Sequence, residues 1–414
     1  MRSRLARWPL VFALVATCGV AARIGFGIYA ARHVDQSLLD VQTYTRIAQN
    51  ILDGHGFSLV PPHPTVFVAP LYPAALALVR YVTGSFSSMI AIQAILWVAV
   101  ALLVQSIGEK WLDRRSARLA SLFVLLHPEL IAISAFLYSE TLFVTFLYAA
   151  LAALAIAATA AKPKALLCTL AASALLGLAT LTRPVTLYFV PLAAALPFFW
   201  REHLGWKGAT QVAVLALLGF AVVVAPWSLR NRARTGSLVP VATGGGAALW
   251  IGNYQPFDGE YRYQQTRELM DRLTSGLSEV EADRLLTKMA IQGMRQRPVE
   301  AMKLLAKKLW RYWLRSYEKL PDGRPRHWTV TGIGLQLLHL VLLSLAALGL
   351  WLSRRRWRIM LPFLLLVLYM TAIHSLSLPV PRYRLPLLPG LLLFAAAGLL
   401  SIYDRAKARR WESA

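Results

Sequence analysis

Apolar residues in this chain come in long, nearly unbroken stretches rather than in alternation with polar ones. Runs of about 16–22 residues match the length at which an α-helix crosses ~30 Å of hydrocarbon. Ten such runs fall at about 8–31, 88–108, 118–137, 140–160, 165–182, 185–200, 210–228, 329–352, 359–377 and 387–403. The pattern predicts an all-α polytopic membrane protein of about ten transmembrane helices, with residues 1–414 forming one integral domain.

Two longer polar stretches interrupt the series, at 32–87 and at 229–328. The second contains the least apolar part of the chain, Tyr254–Glu281, and then Ala282–Arg315, where Leu, Met and Trp recur at helical spacing among Lys and Arg. That spacing predicts a basic amphipathic helix lying along a membrane surface. Trp310, Tyr312, Trp313, Tyr317 and Trp328 suit an interfacial aromatic belt. No fixed-period repeat and no low-complexity tract is visible, which counts against a transporter built from inverted repeats.

Composition agrees with the pattern. The chain is 57% hydrophobic and only 15% charged, with mean hydropathy +0.51, whereas soluble domains carry far more charge. The formal net charge of +24 could suggest nucleic acid. Its distribution excludes that class, because the basic residues sit in short blocks between apolar runs. These are Arg2, Arg4 and Arg7; Arg114, Arg115 and Arg118; Lys162 and Lys164; Arg201 and Lys207; Arg354, Arg355, Arg356 and Arg358; and Arg405, Lys407, Arg409 and Arg410. They occupy every second loop, so both termini are expected in the cytoplasm and both large loops outside it. A compact chain with such loops suits a bacterial inner membrane.

The basic start, the apolar run and Val20-Ala21-Ala22 resemble a cleavable signal, but a retained first span is the reading adopted here. Cys18 and Cys168 both lie in apolar runs, which points to neither a disulfide nor a cysteine metal cluster.

On this topology the polar side chains at helix ends gather on the outer face. Asp40 and Tyr44 open the first loop, Glu140 starts the fourth span and Arg183 ends the fifth. Arg230 and Asn231 end the seventh, Arg382, Tyr383 and Arg384 precede the tenth, and Arg23 lies in the outer half of the first. Intramembrane charge is costly and usually functional. Two carboxylates and several arginines around an outward cavity suit a substrate with an anionic phosphate and a transferable group. Arginine matches phosphate oxygens with a planar fork of donors, and a carboxylate can take a proton from a hydroxyl or hold a divalent cation. Simpler roles are open for each residue: Asp40 can cap the helical run Val41–Leu52, and an arginine at a helix end can reach lipid headgroups.

Other candidates are weaker. Glu129, beside His127 and Pro128, falls midway along the third run, where proline can break the helix. His55 and His63 lack a tight ligand spacing around Asp40. Thr243-Gly244-Gly245-Gly246 has no following Lys-Ser/Thr pair, so it reads as a tight turn rather than a phosphate loop.

The ordered set Asp40-x-x-x-Tyr44 with Ala48 and Asn50, Gly54-His55-Gly56-Phe57-Ser58, Pro70-Leu71-Tyr72-Pro73, Ser139-Glu140-Thr141-Leu142-Phe143, Leu181-Thr182-Arg183-Pro184, Pro226-Trp227-x-x-Arg230-Asn231 with Gly252-Asn253, and Arg382-Tyr383-Arg384-Leu385-Pro386 resembles the GT-C type membrane glycosyltransferases. The resemblance is to the bacterial relatives of protein O-mannosyltransferases and aminoarabinose transferases in particular. It implies a GT-C-like fold and transfer of a hexosyl or pentosyl group from a polyprenyl-phosphate donor to a lipid, glycan or protein acceptor on the extracytoplasmic face. It also implies that Asp40 is the catalytic base or orients the acceptor, and that Glu140 is the second catalytic acid. Arg183, Arg230 and Arg384 would meet the carrier phosphate, with Tyr44, Asn231, Arg382 and Tyr383 lining the same substrate site. Val41 stands where a common family form has a second acid, which weakens the inference of metal and leaves a divalent cation open. Membrane lipids are the remaining expected partners, and nucleic acid is not one. The alternatives are a transporter or flippase for an anionic lipid-linked sugar, which needs polar access from both faces, and a non-catalytic assembly subunit.

Overall fold

The first apolar run folds as α1 (Trp8–His33) in a computed structural model that describes residues 8–33, 39–254, 258–259, 263–315 and 330–412. The first large loop holds α2 (Leu39–Leu52), a short antiparallel hairpin of β1 (Ser58–Val60) and β2 (His63–Pro64), and α3 (Leu71–Thr83). A spanning helix, α4 (Ser88–Trp111), follows.

The run expected over 118–137 is not one helix. Asp113 starts α5 (Arg114–Leu126) by accepting the backbone N–H groups of Arg115 and Ser116, both at 2.9 Å. The helix stops at His127, whose backbone is extended, and α6 (Pro128–Ile133) restarts from the proline. Proline has no N–H to give and pushes the residue before it out of helical geometry. After α7 (Glu140–Ala157) and α8 (Lys162–Thr182), the run expected over 185–200 is broken in the same way. It consists of a 3₁₀ turn Pro184–Phe189, α9 (Val190–Ala195) and a second 3₁₀ turn Leu196–Trp200, each with a proline in its first two positions.

Helix α10 (Arg201–Thr235), kinked at Gly205, leads into the second large loop. That loop carries α11 (Gly245–Asn253), α12 (Tyr263–Leu273), α13 (Glu279–Gln296) and α14 (Pro298–Leu314). The amphipathic helix expected over 282–315 is therefore two helices, because Pro298 ends one and begins the next. Tyr317 and Trp328 lie outside the described residues, as do Arg2, Arg4 and Arg7. The chain closes with α15 (Val330–Leu352), α16 (Trp357–Leu376), a 3₁₀ segment Pro381–Leu387 and α17 (Leu388–Glu412).

Among the described residues, eight helical stretches are long and apolar enough to cross a bilayer. The ten expected runs thus become eight long helices and two segmented ones in an integral membrane protein.

The main core joins Trp97, Val104, Phe143, Leu147, Leu151, Leu176 and Phe394 across α4, α7, α8 and α17. Lipid tails are as apolar as the helices, so close van der Waals contact has to hold such a bundle. Glycine makes that contact possible between α15 and α17. A Cβ on Gly349 would lie 1.9 Å from the Phe394 carbonyl oxygen, and one on Gly398 would lie 2.2 Å from that of Leu345. Gly349→Val is expected to force the pair apart and destabilise the protein by about 1–3 kcal/mol, measured as a lower unfolding midpoint in detergent.

The second large loop has its own small core, in which Trp250, Ile251, Leu286 and Ala290 pack with Leu378. It is also stitched to the first loop. Glu279 accepts from Thr65 Oγ1 at 2.6 Å and from the Val66 N–H at 2.7 Å, and the Thr243 N–H donates to the Val66 carbonyl at 2.8 Å. The two loops cover one end of the bundle together.

The glycine turn at 243–246 closes on the protein itself. The N–H groups of Gly244 (φ 99°) and Gly246 both donate to Asp283 Oδ1 at 2.8 Å. A Cβ on Gly246 would lie 2.1 Å from the Asp283 carbonyl oxygen. An internal carboxylate thus occupies the position where a phosphate loop would hold its anion.

Candidate active site

Four separate parts of the sequence meet where α2, α7, the end of α8 and the 3₁₀ segment before α17 converge. Asp40 lies in the first turn of α2, with Tyr44 one turn later on the same face. Glu140 begins α7, Arg183 follows α8, and Arg382 and Tyr383 begin the 3₁₀ segment. Helix ends are the natural mounts for such groups, since a charged side chain there reaches polar surroundings without crossing the hydrocarbon.

The charges form a chain. Arg382 Nη2 donates to Asp40 Oδ2 at 2.5 Å, Arg382 Nε lies 3.0 Å from Glu140 Oε1, and Arg183 Nη1 donates to the same Glu140 oxygen at 2.7 Å. Arg183 also donates to Ser139 Oγ at 3.2 Å, and the Tyr44 hydroxyl shares a 3.4 Å hydrogen bond with that serine. The two acids and two guanidinium groups balance.

Burial separates the acids. The Glu140 side chain is 3% exposed and that of Asp40 is 39% exposed. Glu140 therefore gathers the two arginines from beneath, while Asp40 is the carboxylate an incoming molecule reaches. Burial, together with the negative charge of Asp40, pushes the Tyr44 phenol up to about 12, so it is a neutral hydrogen-bond donor.

Aromatic faces hold the arginines in place. Arg382 lies 4.5 Å from the Tyr138 ring centroid and Arg183 lies 5.5 Å from that of Tyr383. Tyr383 in turn packs on His374 of α16 at 4.8 Å, and Tyr44 meets Tyr72 edge to face at 5.2 Å. Tyr138 and His374 were not singled out from sequence. For Tyr138 the one available signal is its place beside Ser139-Glu140; for His374 there is none.

Four of the nominated residues are placed elsewhere. Arg230 donates to the carbonyls of Thr65 (2.8 Å) and Phe57 (3.1 Å) and lies 4.5 Å from the Trp227 ring. Asn231 donates to the carbonyls of Val239 (3.1 Å) and Val241 (3.0 Å). Both tie the loops to the end of α10. Arg384 is buried and donates to the carbonyls of Tyr312 (2.5 Å) and Arg315 (3.1 Å), capping α14. Arg23 does the same for α5 through the carbonyls of Leu125 (2.7 Å) and Val124 (3.2 Å).

The donor set does not fit a resident divalent cation. Arg382 bridges Asp40 and Glu140, so its positive charge sits where a metal between the two acids would. Among the described residues, no three His, Cys, Asp or Glu side chains gather. His55 and His63 are exposed on the first loop.

Lys308 anchors the end of α16, a few residues before Arg382 in the chain. Its buried ammonium donates to Asn253 Oδ1 at 3.0 Å and to the carbonyls of Leu376 and Ser377, both at 3.1 Å, joining α14, α11 and the end of α16. Burial pulls its pKa down from 10.5 to about 8. Because the folded value is the lower one, the unfolded chain binds the proton more readily between about pH 8 and 10.5. Stability from this group therefore rises with pH across that window. Lys308→Met is expected to flatten that slope, seen by comparing unfolding midpoints from pH 7 to 10.

Residues 63–229 match the model of the dolichyl-phosphate-mannose-protein mannosyltransferase family. This segment includes Glu140 and Arg183. The architecture aligns with the oligosaccharyltransferase of Archaeoglobus fulgidus in the apo form, at TM-score 0.58 and 14% identity, over 97% of this chain and 52% of that one. The fold is GT-C-like.

The archaeal oligosaccharyltransferase AglB from Archaeoglobus fulgidus, in complex with an inhibitory peptide and a dolichol-phosphate, aligns at TM-score 0.57 and 14% identity, over 97% of this chain and 51% of that one. This chain thus spans about half the length of the archaeal enzyme. ArnT from Cupriavidus metallidurans bound to undecaprenyl phosphate aligns at TM-score 0.44 and 14% identity, over 94% of this chain and 78% of that one. Among curated proteins, none matches the sequence.

Proposed function

We propose that this protein is an inverting glycosyltransferase that moves a sugar from a polyprenyl-phosphate donor to an acceptor hydroxyl on the extracytoplasmic face of the membrane. The observation that carries this reading is the accessible Asp40 beside a pair of arginines gathered on the buried Glu140. The family match over 63–229 supports it.

In this mechanism Asp40 accepts the proton of the acceptor hydroxyl as that oxygen attacks the anomeric carbon. The bond from that carbon to the phosphate oxygen breaks, and its electron pair stays on the departing polyprenyl phosphate. Arg183 and Arg382 stabilise the growing negative charge, which is electrostatic catalysis by groups already in place. Glu140 keeps both guanidinium groups oriented, and Tyr44 supplies a neutral donor at the edge of the site.

The basic loops support a bacterial inner-membrane location with both termini in the cytoplasm. Cytoplasm-specific reporter fusions at either end are expected to be active.

The test is transfer from a panel of radiolabelled polyprenyl-phosphate sugars to lipid, polysaccharide and protein fractions by the protein in proteoliposomes. Label in one fraction, with inverted anomeric configuration, is expected. Movement of intact donor across the bilayer without transfer would instead establish the transporter reading.

A further inference from the structure

At the opposite end of the bundle from Asp40 lies a groove that the transfer mechanism does not use. Helix α1 has 26 residues, about 39 Å of helix, and it runs from Trp8 in this groove to His33, near the first loop. The groove has a volume of about 440 Å³, and Trp8, Leu119, Leu122 and Leu400 form its apolar wall. Arg114, Arg115 and Arg118 line its rim.

The three arginines are not equivalent. Arg115 donates twice to Asp404 at 2.9 Å, and Arg114 lies 3.6 Å from Glu109. Asp113 is spent on capping α5. Arg118 has no acidic partner within ion-pair distance among the described residues. Its guanidinium lies 4.9 Å from the Trp8 ring centroid, and its buried Nε has no hydrogen-bond partner. Arg118 as a whole is only partly buried, and an arginine fork is matched to phosphate oxygens. The wall beside it is hydrocarbon. A ligand that satisfies both halves has a phosphodiester at one end and an acyl chain at the other.

We propose that this groove holds an anionic glycerophospholipid from the leaflet at the Trp8 end of α1, with its phosphodiester on Arg118 and an acyl chain against Leu119, Leu122 and Leu400. The local surface favours an anionic headgroup, since Lys110, Arg356 and Arg405 lie on the adjoining helices and turn. The site is independent of the transfer reaction, so it stands or falls separately from the function proposed above.

The experiment is native mass spectrometry of the full chain released from nanodiscs of phosphatidylglycerol or of phosphatidylcholine. The wild type is expected to retain phosphatidylglycerol selectively, and Arg118→Gln to bind it about fivefold more weakly, the worth of roughly one basic contact at a membrane surface. Leu122→Trp, which fills the groove and leaves all three arginines, is expected to weaken retention as well. Equal retention of the two lipids, or unchanged affinity in both variants, would overturn the proposal. Displacement of the bound lipid by millimolar inorganic phosphate alone would also overturn it, by assigning the site to a soluble anion.

Discussion

Asp40→Asn is expected to lower sugar transfer by about 10²- to 10⁴-fold, the usual worth of a positioned general base, in protein that folds and inserts normally. The asparagine keeps an oxygen for Arg382 and loses only the ability to accept a proton. The half-exposed position of Asp40 keeps the structural cost small. The measurement is turnover in proteoliposomes at equal protein amounts, together with the unfolding midpoint of each form. A variant that retains full turnover would show that Asp40 has no part in the chemistry and would remove the centre of the proposed mechanism.

Glu140→Gln is expected to behave differently, losing stability and activity together. Its carboxylate is nearly inaccessible and serves Arg183 and Arg382 at once. Removing the charge leaves two guanidinium groups competing for a neutral amide, and breaking a buried pair of this kind costs about 3–5 kcal/mol. Turnover should fall even in the fraction that remains folded, because the arginines lose the orientation that turns them towards a leaving phosphate. The contrast between an inert but stable Asp40→Asn and an unstable Glu140→Gln is the signature that separates a base from a residue that positions others. If Glu140→Gln unfolded no earlier than the wild type, the buried charge chain would not be what holds this end of the bundle.

Most spanning helices were legible because a run of apolar residues long enough for a bilayer has few other fates. The failures have local causes. Residues 118–137 and 185–200 are apolar enough, yet Pro128, Pro184, Pro191 and Pro197 interrupt their backbone, and hydropathy does not register a missing N–H. Pro298 divides 282–315 for the same reason.

The site was legible as a set of helix ends, since charge beside hydrocarbon is conspicuous. Which ends would meet was harder to read. Asp40, Tyr44, Glu140, Arg183, Arg382 and Tyr383 come together, while Arg230, Asn231 and Arg384 sit at equally polar helix ends and turn to backbone carbonyls. Nothing in the residue type distinguishes an arginine of the Asp40–Glu140 cluster from one capping a helix. The difference lies in which carbonyls a distant loop brings within reach. Lys308 was invisible for a related reason, because its partners arrive from α11 and α16, 55 and 68 residues away in the chain.

The stitch made by Glu279 bears on how these loops could be exchanged with those of another protein. Residues of the first loop at 65–66 and the start of α13 share that one carboxylate, and Arg230 clasps the first loop from the other side. Grafting either loop alone into another scaffold would strand a carboxylate or leave carbonyls and N–H groups without partners. The two loops therefore have to be exchanged or engineered as a matched set.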